Sequence, residues 1–174
     1  MKASITGTPG VGKTSAAKEL EREGYSILDL NEFIKNKGLR EDKDEYMESY
    51  NVDIDKMIQL YKKNASEHDI VEGHLSHHLG IEPVIVLRCS PVELKKRASS
   101  KDWPDHKLKE NVEAEAMDVV LIEALNKNEE VYEIDVTDLT PKGVKEKIIE
   151  ILNGDTEKYT YGKIDWTEKY LLKE

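Results

Sequence analysis

An α/β fold, a parallel sheet covered by helices on both faces, is predicted by three observations. Short apolar runs alternate with helical patterns along the chain. The run Pro-Val-Ile-Val-Leu-Arg-Cys at 83–89 is apolar on both sides, as a central parallel strand must be. Residues 7–14, Gly-Thr-Pro-Gly-Val-Gly-Lys-Thr, form a complete G-x-x-x-x-G-K-T phosphate loop between a strand and a helix. Together these specify a P-loop NTPase fold in one domain spanning residues 1–174, with its site at the carboxyl ends of the strands.

The first strand is Lys2–Thr6. The first helix follows the phosphate loop to about Glu23, with Ala16 and Leu20 inward and Lys18, Glu19 and Glu21 outward, and Gly24 caps it. Tyr25–Leu28 is a second strand. Asp29–Lys37 is helical, with Leu30, Phe33 and Ile34 at helical spacing. Residues 39–53 are acidic and lack a clear period, which predicts a mobile excursion from the sheet. Ile54, Met57, Ile58 and Tyr61 mark a third helix at i, i+3, i+4, i+7. Ile70-Val71 is a short strand that ends in Glu72.

After the central strand, Ser90 and Pro91 supply an N-cap and a first-turn proline. Residues 101–107 break that helix, and a single long helix is predicted from about Lys107 to Asn126. Val131–Val136 is the last strand. Val144, Ile148, Ile151 and Leu152 form the last amphipathic helix. The tail, 153–174, carries Tyr159, Tyr161, Ile164, Trp166, Tyr170 and Leu171 without a strong stripe. It reads either as an arm packed on its own domain or as a partner-binding segment.

The net charge of −10 argues against loose, phosphate-driven binding of nucleic acid and is compatible with a basic protein partner. The single cysteine, Cys89, cannot form an internal disulfide. With no signal peptide and no long apolar run, a cytoplasmic location and no membrane association are expected.

The phosphate loop carries the firmest chemistry. Backbone N–H groups of Gly10, Val11, Gly12, Lys13, Thr14 and Ser15 can close on phosphate oxygens. Lys13 adds a cation at the β and γ phosphates of a nucleoside triphosphate, and the Thr14 hydroxyl ligates Mg²⁺. Mg²⁺ takes a further oxygen from an acid at the end of a neighbouring strand, the position of Glu72. His74 could position a water, shape the metal shell, or make a plain polar contact. His74, His77 and His78 lie close in sequence, but no cysteine or Glu-x-x-His pattern accompanies them to form a closed zinc site. Asn126-Lys127-Asn128-Glu129 approaches a guanine-binding signature, yet Glu129 stands where Asp is required and a helical run precedes it, which argues against a GTP switch.

Four segments now stand in order: Gly-Thr-Pro-Gly-Val-Gly-Lys-Thr-Ser; Glu72-Gly73-His74; Leu87-Arg88-Cys89-Ser90-Pro91; and Leu108-Lys109-Glu110-Asn111 with Glu113 and Glu115. In this order and spacing the chain resembles the archaeal form of the adenylate kinase isoenzyme 6 family, over roughly residues 1–152. The resemblance implies a nucleoside monophosphate kinase-like core using ATP and Mg²⁺, broad acceptor specificity with AMP included, and ATPase activity. It also implies transient binding to a small-subunit ribosomal protein during ribosome maturation. The acceptor-binding segment would fall at about 26–49 and the lid at about 100–110.

Within that frame, residues 95–109 set six cations against Asp102 and Asp105, a lid able to close charge onto phosphates. Arg97 could lie flat on the nucleotide base. Lys101 falls where relatives place arginine; it keeps the charge but loses the two-pronged grip. Catalysis would rest on Lys13, Glu72 and His74. The acceptor side offers Asp29, Arg40 and Arg88. Asp29 either contacts the acceptor or caps the next helix, and Arg88 faces either the site or a buried acid. Only four arginines are present, Arg22, Arg40, Arg88 and Arg97, so weak kinase turnover beside measurable ATP hydrolysis is expected.

Overall fold

A computed structural model describes residues 2–44, 49–64, 67–101 and 103–170. Residues 45–48 of the expected acceptor segment, Asp102 of the expected lid and Leu171 of the tail lie outside them. Five strands form one parallel sheet in the order β2-β5-β1-β6-β7: Ala3–Thr6 (β1), Ile27–Asp29 (β2), Ile70–Glu72 (β5), Val84–Arg88 (β6) and Val131–Asp135 (β7). The predicted α/β class holds. Every residue of β1, β5 and β6 is buried, because helices cover both faces.

On one face, Ile5, Ile85, Leu87 and Ile134 pack against α1 (Lys13–Arg22) and α7 (Pro141–Leu152), through Ala16, Leu20, Val144 and Ile148. On the other, Val71 meets Leu30 and Phe33 of α2 (Leu30–Asn36) and Met57 and Tyr61 of α3 (Ile54–Asn64), while Val84 and Val86 meet Leu121 and Ala124. The period-2 alternation along β6 thus divides its side chains between two helical layers.

The segment read as a mobile excursion without a clear period contains two strands, β3 (Arg40–Asp44) and β4 (Ser49–Val52), paired antiparallel and apart from the main sheet. All five residues of β3 are charged and carry no apolar alternation to read, and β4 is only four residues long. The long helix expected at 107–126 is two helices, α5 (Asp105–Ala116) and α6 (Val119–Lys127). The break falls at Asp118, whose φ is 57°. Aspartate tolerates this left-handed conformation, and here its carboxylate accepts from Arg88, a long-range bond invisible to helical periodicity.

α4 (Pro91–Ala98) starts as its sequence requires: Ser90 Oγ accepts from Glu93 N. The tail folds back on the domain. Tyr159 is buried, Thr160 bridges to Tyr132, and Glu133 Oε1 accepts from Lys163 N at 3.0 Å and Ile164 N at 3.2 Å. A buried Trp166 precedes the last short helix, α8 (Thr167–Tyr170). No helix among the described residues is long and apolar enough to cross a membrane.

Candidate active site

The phosphate loop turns sharply from β1 into α1. Gly12, the residue before the helix, has φ 111°, which only glycine adopts without strain. A Cβ at Gly7 would sit 2.5 Å from Leu87 O, so the loop can lie against β6 only without a side chain there. Lys13 is buried and folds over the loop, donating to Gly7 O at 2.7 Å and Thr8 O at 3.1 Å. Burial, aided by the Lys101 charge, lowers its pKa to about 8; Glu72 and Glu115 oppose the shift. An ammonium so poorly solvated is primed for an anionic partner.

β5 pairs with β1 and brings Glu72 beside the loop: Thr14 Oγ1 donates to Glu72 Oε1 at 2.9 Å. Glu72 Oε2 is buried with no hydrogen-bond partner among the described residues. Burial pushes the Glu72 carboxyl up, and nearby Asp29 adds to this, while the Thr14 hydrogen bond and Lys13 pull it down. An orphaned carboxylate oxygen next to a hydroxyl at a phosphate loop fits a hard cation, so Thr14 and Glu72 suit Mg²⁺.

A cleft of about 580 Å³ runs from the loop to the lid region. Gly10 to Ser15, Asn31 and His74 line it together with Arg97, Lys101, Trp103, Leu139, Pro141 and Val144. Arg97 donates to Glu93 Oε1, Val11 O, Val136 O and Thr137 O at 2.7–3.2 Å. With those N–H groups held by the protein, its flat face is what it can offer a ligand. Lys101 Nζ lies 5.0 Å from the centre of the Trp103 ring, and Lys107 Nζ 5.6 Å. His74 Nδ1 meets Asn31 Oδ1 at 3.0 Å; the amide oxygen accepts, so Nδ1 carries the proton and Nε2 is an acceptor. Burial foremost, then Lys13 and His78, hold His74 neutral, with its pKa down to about 4.

The acceptor candidates are less assembled. Asp29 Oδ1 caps α2, accepting from Asn31 N at 2.8 Å and Glu32 N at 3.0 Å. Its register opposite Glu72 keeps it near the metal position. Arg40 is exposed at the start of β3 and does not line the cleft. Arg88, offered as an acceptor ligand, faces the buried acids instead. Its Nε donates to Glu115 Oε1 at 2.8 Å, Nη1 to Glu133 Oε2 at 3.3 Å, and Nη2 to Glu115 O at 3.2 Å and to Asp118. Its side chain, 1% exposed, is therefore turned away from the site. Burial works against the charge, but the carboxylates of Glu115 and Asp118 outweigh it and raise the Arg88 pKa.

Sequence reasoning missed what Glu115 does. Its Oε2 accepts from Thr8 Oγ1 at 2.5 Å and its Oε1 from Cys89 N at 3.0 Å, besides the Arg88 contact. The lid-side helix α5 is thereby tied to the phosphate loop, and Thr8 O in turn holds Lys13. Partners so far apart in the chain leave no local pattern; a glutamate within a mostly polar helix looks solvated. Cys89, next to this network, has its thiol pushed up to about 12, chiefly by burial. Native protein is expected to resist a thiol-specific disulfide reagent and to react fully once denaturant is added; fast labelling of the native state would contradict this burial.

Phosphate loop, strand-end acid and base-sized cleft on a five-stranded parallel sheet define a P-loop fold of the kinase type. A family model described as an AAA domain matches residues 4–118. The crystal structure of shikimate kinase from Bacteroides thetaiotaomicron superposes with a TM-score of 0.54 and 16% identity, covering 88% of this chain and 98% of that one, a likeness of fold. Proteins named "Putative adenylate kinase" match almost end to end. That of Methanocaldococcus jannaschii is 39% identical over 173 residues, covering 98% of this chain and 95% of its own. That of Archaeoglobus fulgidus is 40% identical over 169 residues, covering 95% and 92%. That of Methanococcus maripaludis is 38% identical over 178 residues, covering 98% and 97%. The chain belongs to this archaeal adenylate kinase family.

Proposed function

We propose that the protein is a nucleoside monophosphate kinase of broad acceptor specificity, transferring the γ-phosphate of ATP to AMP or a related monophosphate, with ATP hydrolysis as a second outcome. The observation that carries this is the cleft joining Lys13 and Thr14, the latter bonded to the buried Glu72, to a wall of Arg97, Trp103, Leu139 and Pro141. Phosphoryl transfer needs positioning and charge more than covalent help. Loop N–H groups and Lys13 hold the β and γ phosphates, and Lys101 adds a cation from the lid side. Mg²⁺, held by Thr14 and Glu72, would neutralise the phosphate oxygens.

Hydrolysis is favoured by a specific observation. Arg88 is committed to buried acids, and among the described residues Arg97 is the only arginine lining the cleft. The acceptor phosphate therefore has few cationic partners, while His74 Nε2 is an available acceptor for a water proton. The ribosome-maturation role rests on the family resemblance, and the acidic surface suits a basic ribosomal protein.

Parallel measurement of ADP formation and phosphate release, with and without AMP, tests the proposal. Slow AMP-dependent ADP formation beside phosphate release is expected. Fast AMP phosphorylation without phosphate release would sink the hydrolysis reading, and neither activity would sink both. A purified small-subunit ribosomal protein that leaves the hydrolysis rate unchanged would count against the assembly role.

A further inference from the structure

On the face of the sheet opposite α1, the 3₁₀ turn Ser76–Leu79 packs beside α6. There His77, His78 and Glu123 each bring a ligand atom to one spot, all within 4.8 Å of one another. We infer that these three side chains form a binding site for a borderline divalent transition cation such as Zn²⁺ or Co²⁺, separate from the Mg²⁺ position at Thr14 and Glu72.

Three observations converge on it. First, His77 is oriented like a ligand. Its ring is buried and its Nδ1 lies 2.9 Å from Thr6 Oγ1. Thr6 Oγ1 can donate to His74 O at 3.2 Å, so a proton on His77 Nδ1 completes that chain and leaves Nε2 as a lone pair. This outer hydrogen bond is the device by which metal-binding imidazoles are aimed. Second, that Nε2 lies 3.2 Å from Glu123 Oε2. A lone pair facing a carboxylate at this distance needs a cation or a proton between them. Third, His78 Nδ1 is buried with no hydrogen-bond partner among the described residues, and the two imidazoles lie 4.2 Å apart, centre to centre.

Two imidazoles and one carboxylate suit borderline cations, whereas Mg²⁺ prefers oxygen alone. Three protein ligands leave a coordination position for water. Glu123, whose side chain is 47% exposed, gives an entry path, and Lys127, an exposed cation near the imidazoles, can turn outward. Spacing hid the site because its carboxylate comes from α6, far along the chain from both histidines. Its place in the fold suggests its effect. Occupation would cross-link the turn after Glu72 to α6 and hold Thr6, the residue before the phosphate loop.

The test is Co²⁺ titration of chelator-stripped full-length protein, following visible d–d absorption with excess Mg²⁺ present. About one Co²⁺ per chain is expected, with at least tenfold weaker binding in His78→Gln and in Glu123→Gln and unchanged binding in Glu72→Gln. Both informative variants alter side chains that are not fully buried, so the fold should survive them. Zn²⁺ should raise the thermal midpoint of the unaltered protein and not of these two. No Co²⁺ spectrum, a spectrum that survives both variants, or one removed by Glu72→Gln would overturn the assignment.

Discussion

Lys13→Met is expected to lower the rate of ATP turnover by about 10²–10³-fold, the scale seen when one preorganised charge-stabilising group is removed. Its ammonium sits over the loop on Gly7 O and Thr8 O, where phosphate oxygens would take its hydrogen bonds. Methionine keeps the length and apolar bulk, so stability should change little. Indeed, burial alone makes the charge costly in the free protein, which is why its pKa falls to about 8. The sign of the pH effect follows. A bound triphosphate favours the ammonium and raises its pKa in the complex. Above pH about 8 the free protein must take up a proton to bind, so ATP affinity falls as pH rises, by at most about tenfold per unit. Calorimetric titrations at several pH values would show this slope in the unaltered protein and its loss in Lys13→Met. A flat profile in both would separate Lys13 from the phosphates.

Glu115→Ala should destabilise the fold by about 3–5 kcal/mol, the usual cost of removing one member of a buried charge pair. The substitution strips Arg88 of its shortest buried partner and leaves Thr8 Oγ1 and Cys89 N without their acceptor. Glu133 and Asp118 still face the guanidinium, which places the expected loss at the low end of that range. In a chain of this size the loss corresponds to a fall of roughly 10 °C in Tm. Urea unfolding would measure it, and a change below about 1 kcal/mol would refute the account. Thr8→Val separates the two roles of Glu115. It retains the Arg88 pair and loses only the tie to the loop, so kcat should fall more than stability does.

The two halves of the donor site differ in how far a linear reading reaches them. Lys13 and Thr14 belong to a contiguous motif whose backbone geometry is local, so their roles are legible directly. Glu72 is legible at one remove, because an acid that ends a short strand must arrive at the sheet's carboxyl edge. Asp29 and Arg88 show the boundary. Asp29 caps α2 through local bonds from Asn31 N and Glu32 N that do not bear on an acceptor role, whereas Arg88 turns into Glu115, Glu133 and Asp118, partners that only the packing supplies. The same ion network explains the one long helix that was two. Apolar spacing continues through residue 118, and the break comes from a left-handed aspartate that a distant arginine engages. Within 39–53 the paired strands were illegible for a different reason, since the run Arg-Glu-Asp-Lys-Asp of β3 holds no apolar residue to mark an alternation.

The strands of the main sheet, most of the helices that cover it, the phosphate loop and the donor-side cation were determined by the sequence itself, because each is marked by residues within one turn or one strand of each other. What only the tertiary structure decided is what those elements bring together. Glu115 reaches across to the loop, Arg97 is clamped by four acceptors at the cleft wall, and Glu123 meets His77 and His78 on the opposite face. The physical reason is one of range. Backbone preference and amphipathic period act over a few residues, whereas the direction of a buried charge is set by whichever partner the packing places beside it, however distant in the chain.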